Sequence, residues 1–196
     1  LLCGQHADRR CETSCDRSDD FICPVSFNCH GSQDLYGASE TESLERQGME
    51  GMKRALIIFT RIPVQGKTKT RMMPHFSPRQ CAALQACFLS DIRKQCEACG
   101  ADIFVSYASE NGKLERLKML LGKEKKYMPQ EGEHLGMRML HAFRQVFEQG
   151  YDSCVLIGTD VPELREHHLR KAFWKLQEND IVFGKTSDGG YYLVGM

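Results

Sequence analysis

The chain has 196 residues, enough for one ordinary domain and a tail. Residues 1–50 hold four Arg, no Lys and ten Asp or Glu, a net of −6, and residues 51–196 carry the compensating net of +6. No apolar run approaches the roughly eighteen residues of a transmembrane helix, no signal peptide pattern is present, and no basic stripe is interleaved with aromatics. We therefore expect a cytoplasmic protein that binds neither membranes nor nucleic acid, and whose positive part favours small anionic ligands such as nucleotides.

The first fifty residues differ in composition from the rest of the chain. They contain five cysteines at irregular spacings, with no CxxC pair: Cys3, Cys11, Cys15, Cys23 and Cys29. A zinc knuckle is therefore weakly supported, and the odd number argues against a disulfide framework. Residues 31–50 are polar and nearly free of aliphatic side chains, as in a linker. We predict that residues 1–51 form a poorly ordered acidic extension or the remnant of a fused module, and that the folded domain spans residues 52–196.

Strands and helices alternate along the remaining sequence. Apolar runs predict strands at Ala55–Phe59, Asp102–Tyr107, Ser153–Ile157, Ile181–Phe183 and Tyr191–Val194. Apolar positions at helical spacing predict helices from Pro78 to about Cys99, from Gly112 to Leu121, from His134 to Gln149 and from Leu164 to Gln177. This alternation predicts an α/β protein with a largely parallel sheet that helices cover on both faces. In such sheets, ligands bind beyond the carboxyl ends of the strands.

A basic loop follows the first predicted strand, in the segment Phe59-Thr-Arg-Ile-Pro-Val-Gln-Gly-Lys-Thr-Lys-Thr-Arg71. It carries four cations: Arg61, Lys67, Lys69 and Arg71. Gly66-Lys67-Thr68 invites comparison with a Walker A loop, but that motif requires a glycine at the position that Arg61 occupies. We therefore expect cationic side chains, rather than a nest of backbone amides, to hold phosphate groups. The alternative is an exposed basic loop without a function.

Two acidic residues follow later strands. Asp160 ends the segment Leu156-Ile-Gly-Thr-Asp160. A carboxylate there suits Mg²⁺ or Mn²⁺, which often share a site with substrate phosphates, but the local pattern equally fits an N-cap of the next helix. Asp188 stands before Gly189 and Gly190, between two apolar runs. The glycines allow close backbone approach to a ligand, whereas the same pattern is typical of a β-hairpin, which we favour on the local evidence alone.

Taken together, the three segments resemble a bacterial family in the nucleotide-diphospho-sugar transferase superfamily, which has the GT-A glycosyltransferase fold. Its members carry an FTKxPxPGxxKTRL-like loop, a GTDCPxL-like segment and a DGGYYLVG-like segment. The matching residues are Phe59–Arg61, Pro63, Gly66 and Lys69–Arg71, then Gly158–Asp160, Pro162 and Leu164, and finally Asp188–Gly195. The family is described as associated with radical-SAM or selenium-domain proteins, and some members are linked to arsenosugar biosynthesis. The resemblance runs from about Lys53 to the end and implies a three-layer α/β/α, Rossmann-like domain.

The resemblance also implies a role for individual residues. The residues of the basic loop would bind the nucleotide and its diphosphate: Arg61, Gly66, Lys67, Lys69 and Arg71. Asp160 would bind Mg²⁺ or Mn²⁺, which offsets charge on the leaving nucleoside diphosphate. Asp188 is the candidate general base toward an acceptor hydroxyl, and Gly189 and Gly190 would line the sugar and acceptor side.

The chain departs from the family pattern at three points. Val161 replaces the usual cysteine. His134, in the segment Glu133-His-Leu-Gly-Met-Arg-Met139, stands where the family has an aspartate, which puts an acidic role of that position in doubt. Family members continue beyond the third segment, so we expect a domain truncated at Met196, in which a second metal ligand or acceptor-site residue could be lost.

Two other functions are compatible with this sequence. A nucleotidyltransferase of the molybdenum-cofactor or phospholactate guanylyltransferase type also uses a basic first loop and a metal-binding aspartate, but it joins a nucleoside triphosphate to a phosphorylated acceptor. The second alternative is a non-catalytic nucleotide-binding protein derived from the fold. Our leading prediction is a glycosyltransferase that uses a nucleotide-sugar donor, a small-molecule acceptor and a divalent metal.

Overall fold

Strands and helices alternate along the part of the chain that the structure describes. The structure is a computed structural model that describes residues 22–25, 51–108 and 113–196. The strands are β1 (Ile22–Val25), β2 (Arg54–Arg61), β3 (Asp102–Ala108), β4 (Lys126–Pro129), β5 (Ser153–Ile157), β6 (Ile181–Lys185) and β7 (Tyr191–Gly195). The helices are α1 (Pro78–Ala98), α2 (Leu114–Leu121), α3 (Leu135–Phe147) and α4 (Glu166–Lys175), with a short 3-10 helix at Thr70–Met72.

The described strands form one sheet with the order β1-β6-β7-β5-β2-β3-β4. β2 pairs in parallel with β3 on one side and with β5 on the other, and β3 pairs in parallel with β4. β7 is antiparallel to both β5 and β6, so β6 runs in the same direction as β2 to β5, while β1 is antiparallel to β6. The mostly parallel sheet is therefore confirmed. The strand order changes direction between β2 and β5, and a ligand crevice is expected beyond the carboxyl ends of these two strands.

Helices cover both faces of the sheet. On one face, α1, α2 and α4 contribute the buried side chains Leu89, Leu117 and Leu169 to a single apolar cluster. On the other face, α3 contributes Phe143 and Val146 to a second cluster. This three-layer α/β/α arrangement confirms the predicted fold class. Among the described helices, none is long and apolar enough to cross a membrane.

The long helix α1 begins where the sequence predicts, and its buried face includes a polar residue. The Ser77 side chain accepts a hydrogen bond from the Gln80 amide, and the Gln80 side chain accepts one from the Ser77 amide, which forms a capping box. Two of its apolar residues, Ala83 and Cys87, are exposed. The buried face includes the polar residue Gln85 instead.

Two strands, β1 and β4, lie outside the predicted set. β4 has four residues, of which only Met128 is buried, and it ends in Pro129 at the edge of the sheet, so its sequence carries little strand signal. β1 belongs to the first fifty residues, and its backbone pairs with β6. The prediction of a poorly ordered extension otherwise falls on residues 1–21 and 26–50, which lie outside the described residues. The division into residues 1–51 and 52–196 stays a prediction.

Candidate functional site

Hydrogen bonds within the chain fold the loop that follows β2. The buried Thr68 hydroxyl donates to the Ile62 carbonyl and accepts from the Val64 amide. The amides of Lys67 and Thr68 both donate to the Val64 carbonyl. Because these amides bond within the loop, they are not available as a phosphate-binding nest, which agrees with the missing Walker A glycine. Gly66 has φ +76° and nothing close to the position of a Cβ, so the turn explains this glycine.

The four basic side chains of this loop fall into two groups. Three are exposed and form no ion pair with any described residue: Arg61, Lys67 and Arg71. Lys69 differs, since its side chain is only 10% exposed and its ammonium nitrogen lies 2.7 Å from Asp160 Oδ1 and 4.4 Å from the centre of the Phe88 ring. Lys69 also has φ +50°, a left-handed backbone conformation that costs an L-residue of order 1–2 kcal/mol. Its surroundings must offset this cost.

Asp160 follows β5 and is not a helix cap. The helix α4 begins at Glu166 with Arg165 as its N-cap residue, so the alternative of Asp160 as the N-cap is wrong. The Asp160 side chain is 76% exposed, and its Oδ1 accepts the hydrogen bond from Lys69. Since β2 and β5 are neighbours in the sheet, residues 91 positions apart can meet here. One cation of the basic loop, Lys69, thus meets the carboxylate, while the roles of the loop and of Asp160 as phosphate and metal ligands stay predictions.

Three buried polar side chains connect the strand ends that carry this ion pair. The hydroxyl oxygens of Thr60 and Thr159 lie 3.4 Å apart. Gln85 of α1 donates its amide hydrogens to both, at 2.9 Å to Thr159 and 3.4 Å to Thr60. Buried and satisfied networks of this kind hold their members in one arrangement. Sequence analysis counted Thr60 and Thr159 among the residues that match the family segments but assigned them no role, and it missed Gln85.

The third segment forms the hairpin turn between β6 and β7. The Thr186 amide donates to the Gly190 carbonyl, and Gly189 has φ +83°, so the hairpin alternative is observed. The Gly158 amide, just beyond β5, donates to the Tyr192 carbonyl of β7. The hairpin turn therefore lies at the same edge of the sheet as the loop that carries Asp160.

Asp188 is an exposed member of this turn. Hydrogen bonds from the Thr186 hydroxyl and then from the Gly190 amide hold the pKa of its carboxyl below the usual range. A Cβ at position 190 would lie 2.9 Å from Thr186 Oγ1, so the turn by itself accounts for this glycine. The lowered pKa keeps Asp188 ionised but makes it a weaker base than an ordinary aspartate.

The segment from Glu133 to Met139 forms the start of α3. His134 is the N-cap residue, and its Nδ1 accepts a hydrogen bond from the Met137 amide at 3.4 Å. Aspartate performs the same capping role well. The departure from the family pattern at this position is therefore compatible with the local fold and requires no acidic function.

We next consider whether the side chains near Asp160 could bind a divalent metal ion. Within the described residues, no group of three His, Cys, Asp or Glu side chains could hold a metal ion. Asp160 offers one carboxylate, and the Lys69 ammonium beside it opposes a second cation. Mg²⁺ is commonly held by one or two carboxylates together with substrate phosphates and water. The residues thus fit a divalent ion that is shared with a phosphate-bearing ligand, and they do not fit an ion that the protein holds alone.

The sequence matches a family known from bacteria. Residues 92–196 match the profile of DUF2064, described as an uncharacterized protein conserved in bacteria, and this match covers more than half of the chain. The chain belongs to this family. The DUF2064 match includes Asp160 and the turn between β6 and β7, and it begins after the basic loop. Among curated proteins, none matches the sequence significantly.

Solved structures place this DUF2064 protein in a known fold. A candidate nucleotide-diphospho-sugar transferase from Desulfovibrio desulfuricans G20 is 34% identical, with a TM-score of 0.70, over 74% of this chain and 63% of that chain. The present chain thus spans less than two thirds of that protein and shares its fold. CMP:2-keto-3-deoxy-manno-octonic acid synthetase complexed with CTP is 12% identical, with a TM-score of 0.43, over 65% of this chain and 48% of that chain. A hypothetical transferase from Thermus thermophilus is 12% identical, with a TM-score of 0.42, over 74% of this chain and 65% of that chain. At these two scores, neither structure bears on function.

Proposed function

We propose that the protein is a glycosyltransferase that binds a nucleotide-diphosphate sugar at the carboxyl edge of its sheet and transfers the sugar to a small-molecule acceptor. One observation carries the proposal: Lys69 Nζ lies 2.7 Å from Asp160 Oδ1 at the ends of β2 and β5, where the strand order changes direction. Such positions are the usual ligand sites of open α/β sheets. The likeness to the candidate transferase from Desulfovibrio desulfuricans supports the same class of reaction.

The basic loop is suited to hold the diphosphate of the donor. Arg61, Lys67 and Arg71 are exposed and unpaired within the described residues, so they can direct charge-assisted hydrogen bonds to phosphate oxygens. Asp160 would share Mg²⁺ or Mn²⁺ with these phosphates. When bound, such an ion would offset the charge that develops on the leaving nucleoside diphosphate.

The hairpin turn is the proposed acceptor side of the site. Asp188 is the candidate base that takes the proton of the acceptor hydroxyl, while the acceptor oxygen bonds to the sugar carbon and the bond to the nucleoside diphosphate breaks. Because the pKa of Asp188 is lowered, we place this proton transfer late, when the acceptor hydroxyl has become acidic. Gly189 and Gly190 would line this side, and an acceptor of the kind used in arsenosugar biosynthesis stays a prediction from the family resemblance.

Binding and turnover with nucleotide sugars test this proposal. We expect calorimetry to show binding in the presence of Mn²⁺ that Asp160→Asn weakens at least about tenfold, since the carboxylate charge is lost. The matched control is Asp180→Asn, an exposed carboxylate just before β6 at the opposite edge of the sheet, which should bind as the wild type does. Mass spectrometry of the products distinguishes the alternatives. Transfer of the sugar supports the proposal, pyrophosphate release from GTP or CTP identifies a nucleotidyltransferase, and binding without turnover identifies a non-catalytic protein.

A further inference from the structure

Lys69 contacts the same carboxylate to which the proposed function assigns a divalent ion. Its ammonium nitrogen lies 2.7 Å from Asp160 Oδ1, and its side chain is only 10% exposed. The Phe88 ring, centred 4.4 Å from this nitrogen, packs against it. The ammonium of Lys69 is thus held at the carboxylate by its surroundings, in contrast to the exposed Lys67 of the same loop.

An ammonium in this position opposes the binding of a second cation by Asp160. Like charges a few ångströms apart repel each other, and the low exposure of Lys69 limits screening by water and salt. The hydrogen bond from Lys69 also occupies Asp160 Oδ1. Asp160 can therefore accept a divalent ion readily only if Lys69 moves away or if further negative charge enters the site.

A diphosphate meets both of these conditions. Its oxygens can accept hydrogen bonds from an ammonium group, and they can also serve as ligands of a divalent ion. A lysine ammonium is a point charge on a flexible four-carbon stem, so it can turn from one acceptor to another. We propose that Lys69 exchanges Asp160 for a phosphate oxygen, and that this exchange couples the binding of the metal to the binding of the diphosphate. The inference rests on the proposed function and concerns how that site is filled.

This coupling has a signature that a purely structural lysine would not give. By linkage, the metal strengthens diphosphate binding by the same factor as the diphosphate strengthens metal binding, typically about 5–150-fold. If Lys69 carries the coupling, a neutral residue at this position should have opposite effects on the two ligands. It should strengthen the binding of the metal alone and weaken the binding of the diphosphate alone.

The test compares the wild type with Lys69→Met and with the matched control Lys67→Met. Lys67 is an exposed cation of the same loop that forms no ion pair with any described residue. Mn²⁺ alone is titrated with detection of the free ion by electron paramagnetic resonance, and UDP and GDP are titrated by calorimetry, once with EDTA and once with saturating Mn²⁺. Lys69→Gln provides a second neutral variant, and circular dichroism verifies the fold of each protein.

We expect Lys69→Met to bind Mn²⁺ alone on the order of tenfold more tightly than the wild type, and to lose most of the metal dependence of nucleotide binding. Adding Asp160→Asn to Lys69→Met should abolish the gain in Mn²⁺ affinity. Lys67→Met should weaken nucleotide binding but keep the metal dependence.

Unchanged Mn²⁺ affinity in both neutral Lys69 variants, or wild-type nucleotide affinity that is the same in EDTA and in Mn²⁺, would overturn the exchange. A complete lack of nucleotide binding would instead overturn the proposed function, and the Mn²⁺ titration would still decide whether Lys69 opposes the metal.

Discussion

Gln85 lies on the buried face of α1, at a position where an apolar side chain is usual. Gln85 is 3% exposed, and its side-chain amide donates to the hydroxyl groups of Thr159 and Thr60. A buried amide without partners costs roughly 1–3 kcal/mol, so the two hydroxyl groups are what permit a glutamine here. Because each threonine directly precedes a site residue, these hydrogen bonds also fix the loops that carry Arg61 and Asp160.

Replacing Gln85 by leucine should destabilise the protein. Leucine has a similar volume but leaves both threonine hydroxyl groups without their donor, so we expect the free energy of unfolding in urea to fall by about 1–3 kcal/mol. The control is Gln149→Leu, an exposed glutamine just after α3, for which the change should stay within about 0.5 kcal/mol. Equal stability of Gln85→Leu and the wild type would show that the network does not hold the two strand ends together.

Single residues were predictable from the sequence where charge marked them. Lys69 and Asp160 could be singled out because each is charged and follows an apolar strand. Their contact became visible only in the structure, where β2 and β5 are neighbours. Gln85 could not be singled out, since a pattern of apolar side chains passes over a buried polar residue whose partners are distant in sequence. Its burial depends on two threonines supplied by other elements of the fold.

At the scale of the elements, α3 begins with an unusual cap. The hydrogen bond from the Met137 amide to His134 Nδ1 is long, at 3.4 Å, and the cap leaves the first turn without an acidic residue. Aspartate is among the preferred N-cap residues, and a negative charge at a helix amino terminus also interacts favourably with the helix dipole. The histidine is therefore a weaker cap than an aspartate would be at this position.

His134→Asp should stabilise the protein by about 0.5–1 kcal/mol, because it improves both the cap and the charge at the start of α3. His134→Ala should have the opposite sign, since it removes the acceptor for the Met137 amide. Urea unfolding of the three proteins at neutral pH measures both changes. A destabilised aspartate variant would show that His134 is retained for a contact other than its cap.

The spacing of apolar residues located the helices, and apolar runs located the strands other than β1 and β4. Ser77 and Pro78 begin α1 where expected, and Gly100 and Gly150, both at positive φ, follow α1 and α3. The strand β4 was not predicted, because four residues with one buried side chain give no alternating pattern. An edge strand of this kind is specified by its pairing with β3, which is a property of the tertiary structure.

At the scale of the whole molecule, the sheet order separates the candidate site from β1, the described strand of the first fifty residues. The strands β6, β7 and β5 stand between β1 and β2. The position of the site at the carboxyl edge followed from the βαβ alternation. The pairing of β1 with β6 did not, because contacts between residues about 160 positions apart leave no mark in a local pattern. The net charge also differs along the sequence, with −6 on residues 1–50 and +6 on the rest.

A variant that begins at Gly51 should keep the site and attract anions more strongly at low salt. At about 150 mM salt the Debye length is about 8 Å, so the loss of the acidic residues should change the dissociation constant of UDP or GDP, measured with Mn²⁺, by no more than about twofold. At about 10 mM salt the Debye length is about 30 Å, and the net charge of +6 on the remaining residues should then strengthen nucleotide binding severalfold over the full chain. Calorimetry of both proteins at both ionic strengths measures the difference. A tenfold loss of affinity at the higher salt would show that residues 1–50 contribute directly to the site.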